Sequence, residues 1–447
     1  MARIDTVAIL AAGRGSRLNT RGVPKPLVPF LGIPLLERSI RGFYLCGLKN
    51  FIIVTGFESE KVEAFAKELE KKIKDITIHC IKNTDWQRGN GTSFLTALRV
   101  AKKDFILSMC DHVFSEDVIK VAKKSKPPKG GLSLIVDTRL KNPVIDPHDV
   151  TKVLVRAGNI IEIGKELSAF NCYDTGLFVC SKSVQDSIKH SKLLNKESIS
   201  LSEIVYFLSR QDRARAVEIN KGFWADLDDK RAFQKAKKRL FVLLRSKPHD
   251  GPVSRFLNRP LSIRLSSYLV NTPVTPNQIT LISFFLAILA ALFFTQDSYV
   301  LFATGGLLAQ LASIIDGCDG EIARLKFQQS EYGAWLDAVL DRYADAFLIA
   351  GITWHVANYR LLGNIGWLLG IFALIGSFIN SYTADKYDGW MRKQKQNVRI
   401  RLGRDVRIFL VFLSGVFYRP VELLIMLAGI MHTENIRRMW KLRTAVS

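Results

Sequence analysis

The chain has 447 residues, 48% of them apolar, and a formal charge of +23 from 64 Lys and Arg against 41 Asp and Glu; this length calls for more than one domain. Much of the positive charge flanks hydrophobic segments, which points to a membrane surface or phosphorylated substrates ahead of nucleic acid, for which no binding module is visible. Six cysteines (Cys46, Cys80, Cys110, Cys172, Cys180 and Cys318) show no metal-ligand pair such as C-x2-C and no disulfide framework, and buried thiols in a reducing compartment are expected.

Charged sequence of ordinary globular character runs to about Lys247, and long hydrophobic segments follow Asn277. The first residues are too short and wrongly flanked for a signal peptide, so a cytoplasmic first domain is expected. Thr6-Val-Ala-Ile-Leu10 reads as a buried parallel strand. It enters Ala11-Ala-Gly13-Arg14-Gly15-Ser16-Arg17-Leu18, followed by Pro24-Lys25-Pro26-Leu27. Glycines there free backbone N–H groups to face phosphate oxygens, and Arg17 and Lys25 add positive charge. Leu18 stands where a dinucleotide-binding G-x-G-x-x-G needs its third glycine, and no Gly-Lys-Ser/Thr completes a Walker loop.

The combination L-A-A-G-x-G-x-R-L with P-K-P-L resembles the sugar-phosphate nucleotidyltransferases. The resemblance implies a Rossmann-like α/β domain that binds a nucleoside triphosphate on Leu10, Ala11, Gly13, Arg14, Gly15 and Lys25, with Lys25 and Arg17 as catalytic cations. A second strand at Phe51-Ile-Ile-Val-Thr55, a charged helix over 60–72 and a strand near 76–81 continue the alternation. The next loop, with Gly89, Asn90 and Thr92, has the polar backbone to read a base edge, and Thr92-Ser93 would cap the helix after it. Asp111 ends an apolar strand, the place where open parallel sheets bind ligands, and a carboxylate there can ligate Mg2+. The second ligand comes from Trp224-Ala-Asp226-Leu-Asp228-Asp229, where the resemblance favours Asp228 over Asp226. It also implies that Lys165 meets the phosphate of a phosphorylated polyol while Glu162 and Asp174 accept from its hydroxyls.

Residues 230–244 form a basic helix, a break follows, and over 255–270 arginines alternate with leucines as in a helix lying in a membrane interface. The expected domains are thus 1–230, a linker with interfacial helix over 231–270, and a membrane domain over 271–447. Six membrane helices are expected near 277–295, 298–318, 333–356, 361–383, 405–418 and 419–433, the last two divided at Pro420. Seven Lys and Arg lie in 385–404 and four after 434, against only Arg360 and Arg419 in the opposite loops. Both termini should therefore face the cytoplasm.

Acids at membrane depth are costly and face a bundle interior or a wet cavity. Asp316 and Asp319 share one helix face, as do Asp337 and Asp341, with Gly320, Ala323 and Gly333 small enough for helices to approach. The order D-x2-D-G-x2-A-R-x8-G-x3-D-x3-D resembles the complete signature of the CDP-alcohol phosphotransferases. That resemblance implies Mg2+ or Mn2+ on Asp316, Asp319, Asp337 and Asp341, a proton taken by Asp341, and a nucleotide bordered by Asp319, Gly320, Ala323 and Arg324. The acceptor phosphate falls to arginines near the fifth helix, with Arg404 foremost beside Arg399, Arg401 and Arg407. Fusion of the two activities resembles bifunctional enzymes that make CDP-inositol from CTP and inositol-1-phosphate, then join it to a second inositol-1-phosphate. Inositol rests on that fusion pattern and on no single residue. Another alcohol, a lipid acceptor or a nucleotide-sensing first half are the alternatives, and the family implies a homodimer through membrane helices.

Overall fold

A computed structural model describes residues 4–18, 22–245, 251–360, 362–393 and 402–446, which fall into two compact units, Met1–Arg239 and Leu240–Ser447. In the first unit one sheet is built from β1 (Thr6–Ala11), β2 (Asn50–Thr55), β3 (Thr77–Lys82), β4 (Phe105–Met109), β5 (Leu132–Asp137), β6 (Lys152–Arg156), β7 (Asn159–Gly164), β8 (Cys172–Cys180) and β9 (Ala214–Ile219). Their spatial order is β3-β2-β1-β4-β8-β5-β9-β7-β6 among the described residues.

The half β3-β2-β1-β4 is parallel, as the alternation of strand and helix requires. Strand β8 runs antiparallel between β4 and β5 and makes the sheet mixed. Alternate residues of β1 face opposite layers. Ala8 and Leu10 join Phe94, Leu98 and Ile204 on one side, while Val7, Ile9 and Ala11 join Ile40, Phe43, Val62 and Ile119 on the other. Helices therefore cover both faces, which is why β1 reads as an unbroken apolar run.

The second unit is helical. A π-helical turn, Ser254–Asn258, leads into the helix Arg259–Leu269, followed by α1 (Pro276–Phe294), α2 (Tyr299–Leu325), α3 (Glu331–Tyr359), α4 (Gly363–Lys393), α5 (Arg404–Phe417) and α6 (Pro420–Val446). By length and composition three segments suffice to cross a membrane: Pro276–Phe294, Tyr299–Leu325 and Gly363–Ala384. Charge along α3, the 14-residue length of α5 and the basic end of α6 keep the others below that measure.

Thr275 starts α1 with a capping box, accepting from the Gln278 N–H while the Gln278 amide oxygen accepts from the Thr275 N–H, and Pro276 takes the first helical position. Helix α2 continues to Leu325, past the expected end near 318, so Asp316 through Arg324 all stand on one helix. Arg259 departs from the interfacial expectation. Its guanidinium is buried and donates to Glu321 at 2.8 Å, because a carboxylate inside the bundle needs a cation more than the interface does.

At Gly333 a Cβ would lie 3.1 Å from Asn277 Oδ1 of α1, and backbone approach is closer still between α2 and α5. A Cβ on Gly306 of α2 would lie 2.9 Å from the Cα of Gly415 on α5, and one on Gly415 would lie 2.8 Å from the Cα of Gly306. These glycines let α2 and α5 touch directly, the usual role of small residues between membrane helices. Gly415→Leu is expected to force the pair apart at a cost of about 1–3 kcal/mol. Thermal unfolding of the purified protein in detergent checks this, and an unshifted melting temperature refutes it.

Candidate active sites

In the first unit, β1 and β4 are adjacent and parallel, so the loop after Leu10 and the residues Cys110 and Asp111 emerge side by side at the carboxyl edge. The Lys25 ammonium lies between the carboxylates of Asp111 and Asp228 and pairs with both. Gly15 has a φ of 73°, and a Cβ there would stand 2.7 Å from the Cβ of Lys25. The loop can close over the lysine only with glycine at that position. Arg17, exposed, reaches Asp149 at 3.2 Å and Asp228 at 3.4 Å.

Two cavities meet here. One, of about 270 Å³, is lined by Leu10, Gly13, Gly15, Lys25, Gly89 and Asn90 above Asp111 and Asp228. The other, of about 280 Å³, is lined by Asp149, Lys165, Asp174, Ser202, Asp226 and Lys235, with Asn90, Asp111 and Asp228 common to both. Lys165 reaches Asp149 at 2.6 Å, and the Asp174 carboxylate accepts from the Gly176 N–H at 2.7 Å.

Four expected residues are not presented to this space by their side chains. Ala11 packs into the apolar layer, so only its backbone is at the strand end. The Arg14 guanidinium lies over the Phe57 ring, 5.5 Å from its centroid. Thr92 sits inside the helix Asn90–Val100 rather than capping it, since the capping position is Gly89. Its hydroxyl donates to the Gly89 carbonyl at 2.8 Å and accepts from Asn83 at 3.0 Å, holding the loop's shape. Glu162 is exposed on β7, where an irregularity in pairing between Ile160 and Glu162 breaks the alternation of faces.

Asp111, His112 and Asp226 each offer a ligand atom within 4.8 Å of the others. Asp228 instead is held by Lys25 and Arg17. Burial opposes the Lys25 charge, yet Asp111, Asp228 and Asp226 together hold the ammonium above its usual range. Burial likewise opposes ionisation of Asp111, and Lys25 with His112 still keeps that carboxyl well below the ordinary value. Burial, aided by the like charges of Asp111 and Asp228, pushes Asp226 up to about 7, and burial alone lifts Asp174 to about 6. Asp226 Oδ1 is buried without a hydrogen-bond partner. An orphaned carboxylate oxygen beside the ionised Asp111 suits a hard divalent cation. His112 and Asp149 were not singled out from sequence. His112 had a signal in following Asp111 directly, whereas Asp149 lies in a loop with none.

In the second unit the signature acids converge. Thr280 and Ser283 of α1 donate to Asp319 at 2.7 Å and Asp316 at 3.1 Å. One oxygen each of Asp316, Asp319 and Asp337 lie within 4.8 Å of one another, an all-oxygen set of the kind Mg2+ takes. Asp341 instead meets Arg404 at 2.6 Å, and the same guanidinium reaches Asp316 and Asp345 at 3.1 Å each. Gly320, Ala323 and Arg324 follow on the last turns of α2.

Asp345 was not singled out, although it continues the spacing of Asp337 and Asp341 by four more residues. It is buried and accepts from Arg407 at 2.7 Å, and Arg407 also donates to Ser381 at 2.9 Å. Glu321, within the signature, is fully buried between Arg259 and the Ser262 hydroxyl, the latter at 2.7 Å. A cavity of about 750 Å³ opens beside Asp337, Asp341, Asn380, Ser381, Arg404 and Arg407, and a second of about 210 Å³ adjoins it at Asp341 and Arg404. Arg399 and Arg401 lie outside the described residues.

Residues 7–152 match the MobA-like NTP transferase domain, and residues 273–433 match the CDP-alcohol phosphatidyltransferase family. The bifunctional IPC transferase and DIPP synthase of Rubrobacter xylanophilus is 33% identical, covering 98% of this chain and 96% of that protein. The protein of the same name from Aquifex aeolicus is 34% identical over 98% of this chain and 99% of its own length. Among solved structures, the inositol-1-phosphate CTP transferase from T. maritima is 25% identical with a TM-score of 0.47, covering 53% of this chain and 96% of that one. Similarity at this level along almost the entire sequence establishes that the chain belongs to the family of bifunctional IPC transferases and DIPP synthases.

Proposed function

We propose that this protein performs two successive transfers. The first unit makes CDP-inositol and pyrophosphate from CTP and inositol-1-phosphate. The second joins CDP-inositol to another inositol-1-phosphate, giving di-myo-inositol phosphate phosphate and CMP. The observation that carries this reading is the pair of carboxylate clusters, each paired with a basic side chain, at the two motifs of one chain.

In the first transfer the phosphate oxygen of inositol-1-phosphate attacks the α-phosphorus of CTP, and the bond to the pyrophosphate oxygen breaks. Lys25, Arg17 and the glycine-loop N–H groups neutralise charge that develops on the polyphosphate. Lys165 holds the incoming phosphate, Asp174 accepts from an inositol hydroxyl, and Gly89 and Asn90 border the cytosine. Asp111 with Asp226 or Asp228 would hold Mg2+, which when bound offsets polyphosphate charge.

In the second transfer an acceptor hydroxyl attacks the β-phosphorus of CDP-inositol and gives its proton to Asp341 as CMP departs. Arg404 and Arg407 take the acceptor's phosphate, with Arg401 beside them in sequence. Residues 319–324 border the cytidine, and Asp316, Asp319 and Asp337 would hold the divalent cations. All six long helices cross the bilayer in this reading, with both termini in the cytoplasm. Helix α5 is short because it starts at the depth of the acids, in a cavity that opens inward. The homodimer rests on the family resemblance alone.

Membranes given labelled CTP and inositol-1-phosphate should yield a water-soluble phosphodiester, whereas label partitioning into lipid would overturn the reading. Lys25→Ala should lower pyrophosphate release about 10²–10³-fold while leaving synthesis from supplied CDP-inositol intact. Asp341→Asn should do the reverse, cutting phosphodiester formation about 10²–10⁴-fold with pyrophosphate release unchanged. Chelation with EDTA should stop both half-reactions and added Mg2+ restore them; either half-reaction persisting in EDTA would exclude the metal from it.

A further inference from the structure

The second transfer imposes a geometric demand that the two described substrate positions do not meet. In an in-line displacement the attacking hydroxyl and the departing CMP oxygen lie on opposite sides of the phosphorus. The alcohol already bonded to that phosphorus stays attached and must project sideways, away from both. The site therefore needs three exits from the phosphorus, one each for cytidine, acceptor and retained alcohol.

Two directions are occupied in the reading above, by residues 319–324 and by the cavity of about 750 Å³ containing Arg407. The remaining one is the cavity of about 210 Å³ between the 254–269 segment, α2 and the start of α5. Asp341, Arg404, Asp405 and Ser254 line both cavities. The smaller cavity thus borders the reacting centre from a different side, and it has room for a polyol ring.

Its walls decide what fits. Every residue lining it is polar, charged or glycine, although it lies among helices of a membrane protein. An acyl chain would leave these groups without partners. Asn258 receives a hydrogen bond from Gln310 at 2.7 Å and donates to the Ser313 hydroxyl at 3.2 Å. The Ser313 proton has no acceptor among the described residues, so it can donate to a ligand oxygen. Ser262 and Arg259 stand on the same wall, both fastened to Glu321, so that wall is fixed before any ligand enters.

We infer that this cavity is the subsite for the retained alcohol of the CDP-alcohol donor, that it selects a hydroxyl-rich ring, and that Asn258 and Ser313 read its hydroxyls. The inference rests on the proposed second transfer. In that step the acceptor oxygen forms a bond to the β-phosphorus, the bond from that phosphorus to the CMP oxygen breaks, and CMP leaves with the electron pair. The proton passes to Asp341, and the alcohol keeps its own bond to phosphorus throughout.

The test uses full-length protein in membranes, with CDP-inositol and inositol-1-phosphate varied separately. Ser313→Ala should raise KM for CDP-inositol about tenfold and leave KM for inositol-1-phosphate unchanged. Asn258→Leu, which fills the space with hydrocarbon, should raise it further, with detergent melting curves confirming that each variant is folded. A rise confined to the KM for inositol-1-phosphate would assign the cavity to the acceptor, and no change in either constant would make it a water-filled recess; each overturns the inference. Failure of the unaltered protein to join CDP-inositol to inositol-1-phosphate would instead overturn the second transfer itself.

Discussion

Carboxylates gathered in one place repel one another, and each unit of this protein places a cation among them. At an effective dielectric of about 20, two like charges 4 Å apart cost about 4 kcal/mol, too much for several acids to share a site unaided. Lys25 does this between Asp111 and Asp228, and Arg404 among Asp316, Asp341 and Asp345. The choice of cation follows from geometry. A lysine presents one compact charge to two carboxylates from neighbouring segments, whereas the guanidinium fork reaches three acids from two helices.

The same cations match the chemistry proposed at each site. In that proposal, charge that offsets the carboxylates is already positioned to meet phosphate oxygens, so little reorganisation is needed during reaction. The supporting residues hold the charged ones in place. Thr280 and Ser283 orient Asp319 and Asp316, Arg407 secures Asp345, and Arg259 secures Glu321. Buried pairs of this kind add little net stability, but losing one partner strands a charge, which costs about 3–5 kcal/mol. They function here as fixed walls around reactive groups.

Motifs whose meaning is local could be read directly. The glycine loop followed by Pro-Lys-Pro, and the acids spaced three and four apart, each occupy one continuous stretch in which spacing fixes the facing of side chains. Asp345 was readable on the same rule, one more helical step beyond Asp341. Thr92 misled because Ser and Thr before a helix usually cap it, while here the helix begins at Asn90, the N-cap position falls on Gly89 and Thr92 lies inside the first turn. Arg259 misled because alternation of arginine with leucine is shared by interfacial helices and by helices that turn one cation inward toward a buried acid. The end of α2 fell later than hydropathy suggests, since acids that are paired within the bundle do not interrupt a helix.

The sequence alone determined the spacing within the two motifs, their order along the chain and the helices bearing the acids, because backbone periodicity and residue type are local properties; the two chemistries came from the families those motifs resemble. The tertiary structure decided which distant groups became partners. That Lys25 serves both Asp111 and Asp228, that Arg404 lies between acids of α2 and α3, and that Asn258 and Ser313 wall one polar recess all join residues dozens to hundreds of positions apart. Such meetings follow from packing whole strands and helices against one another, and no spacing along a single chain encodes them.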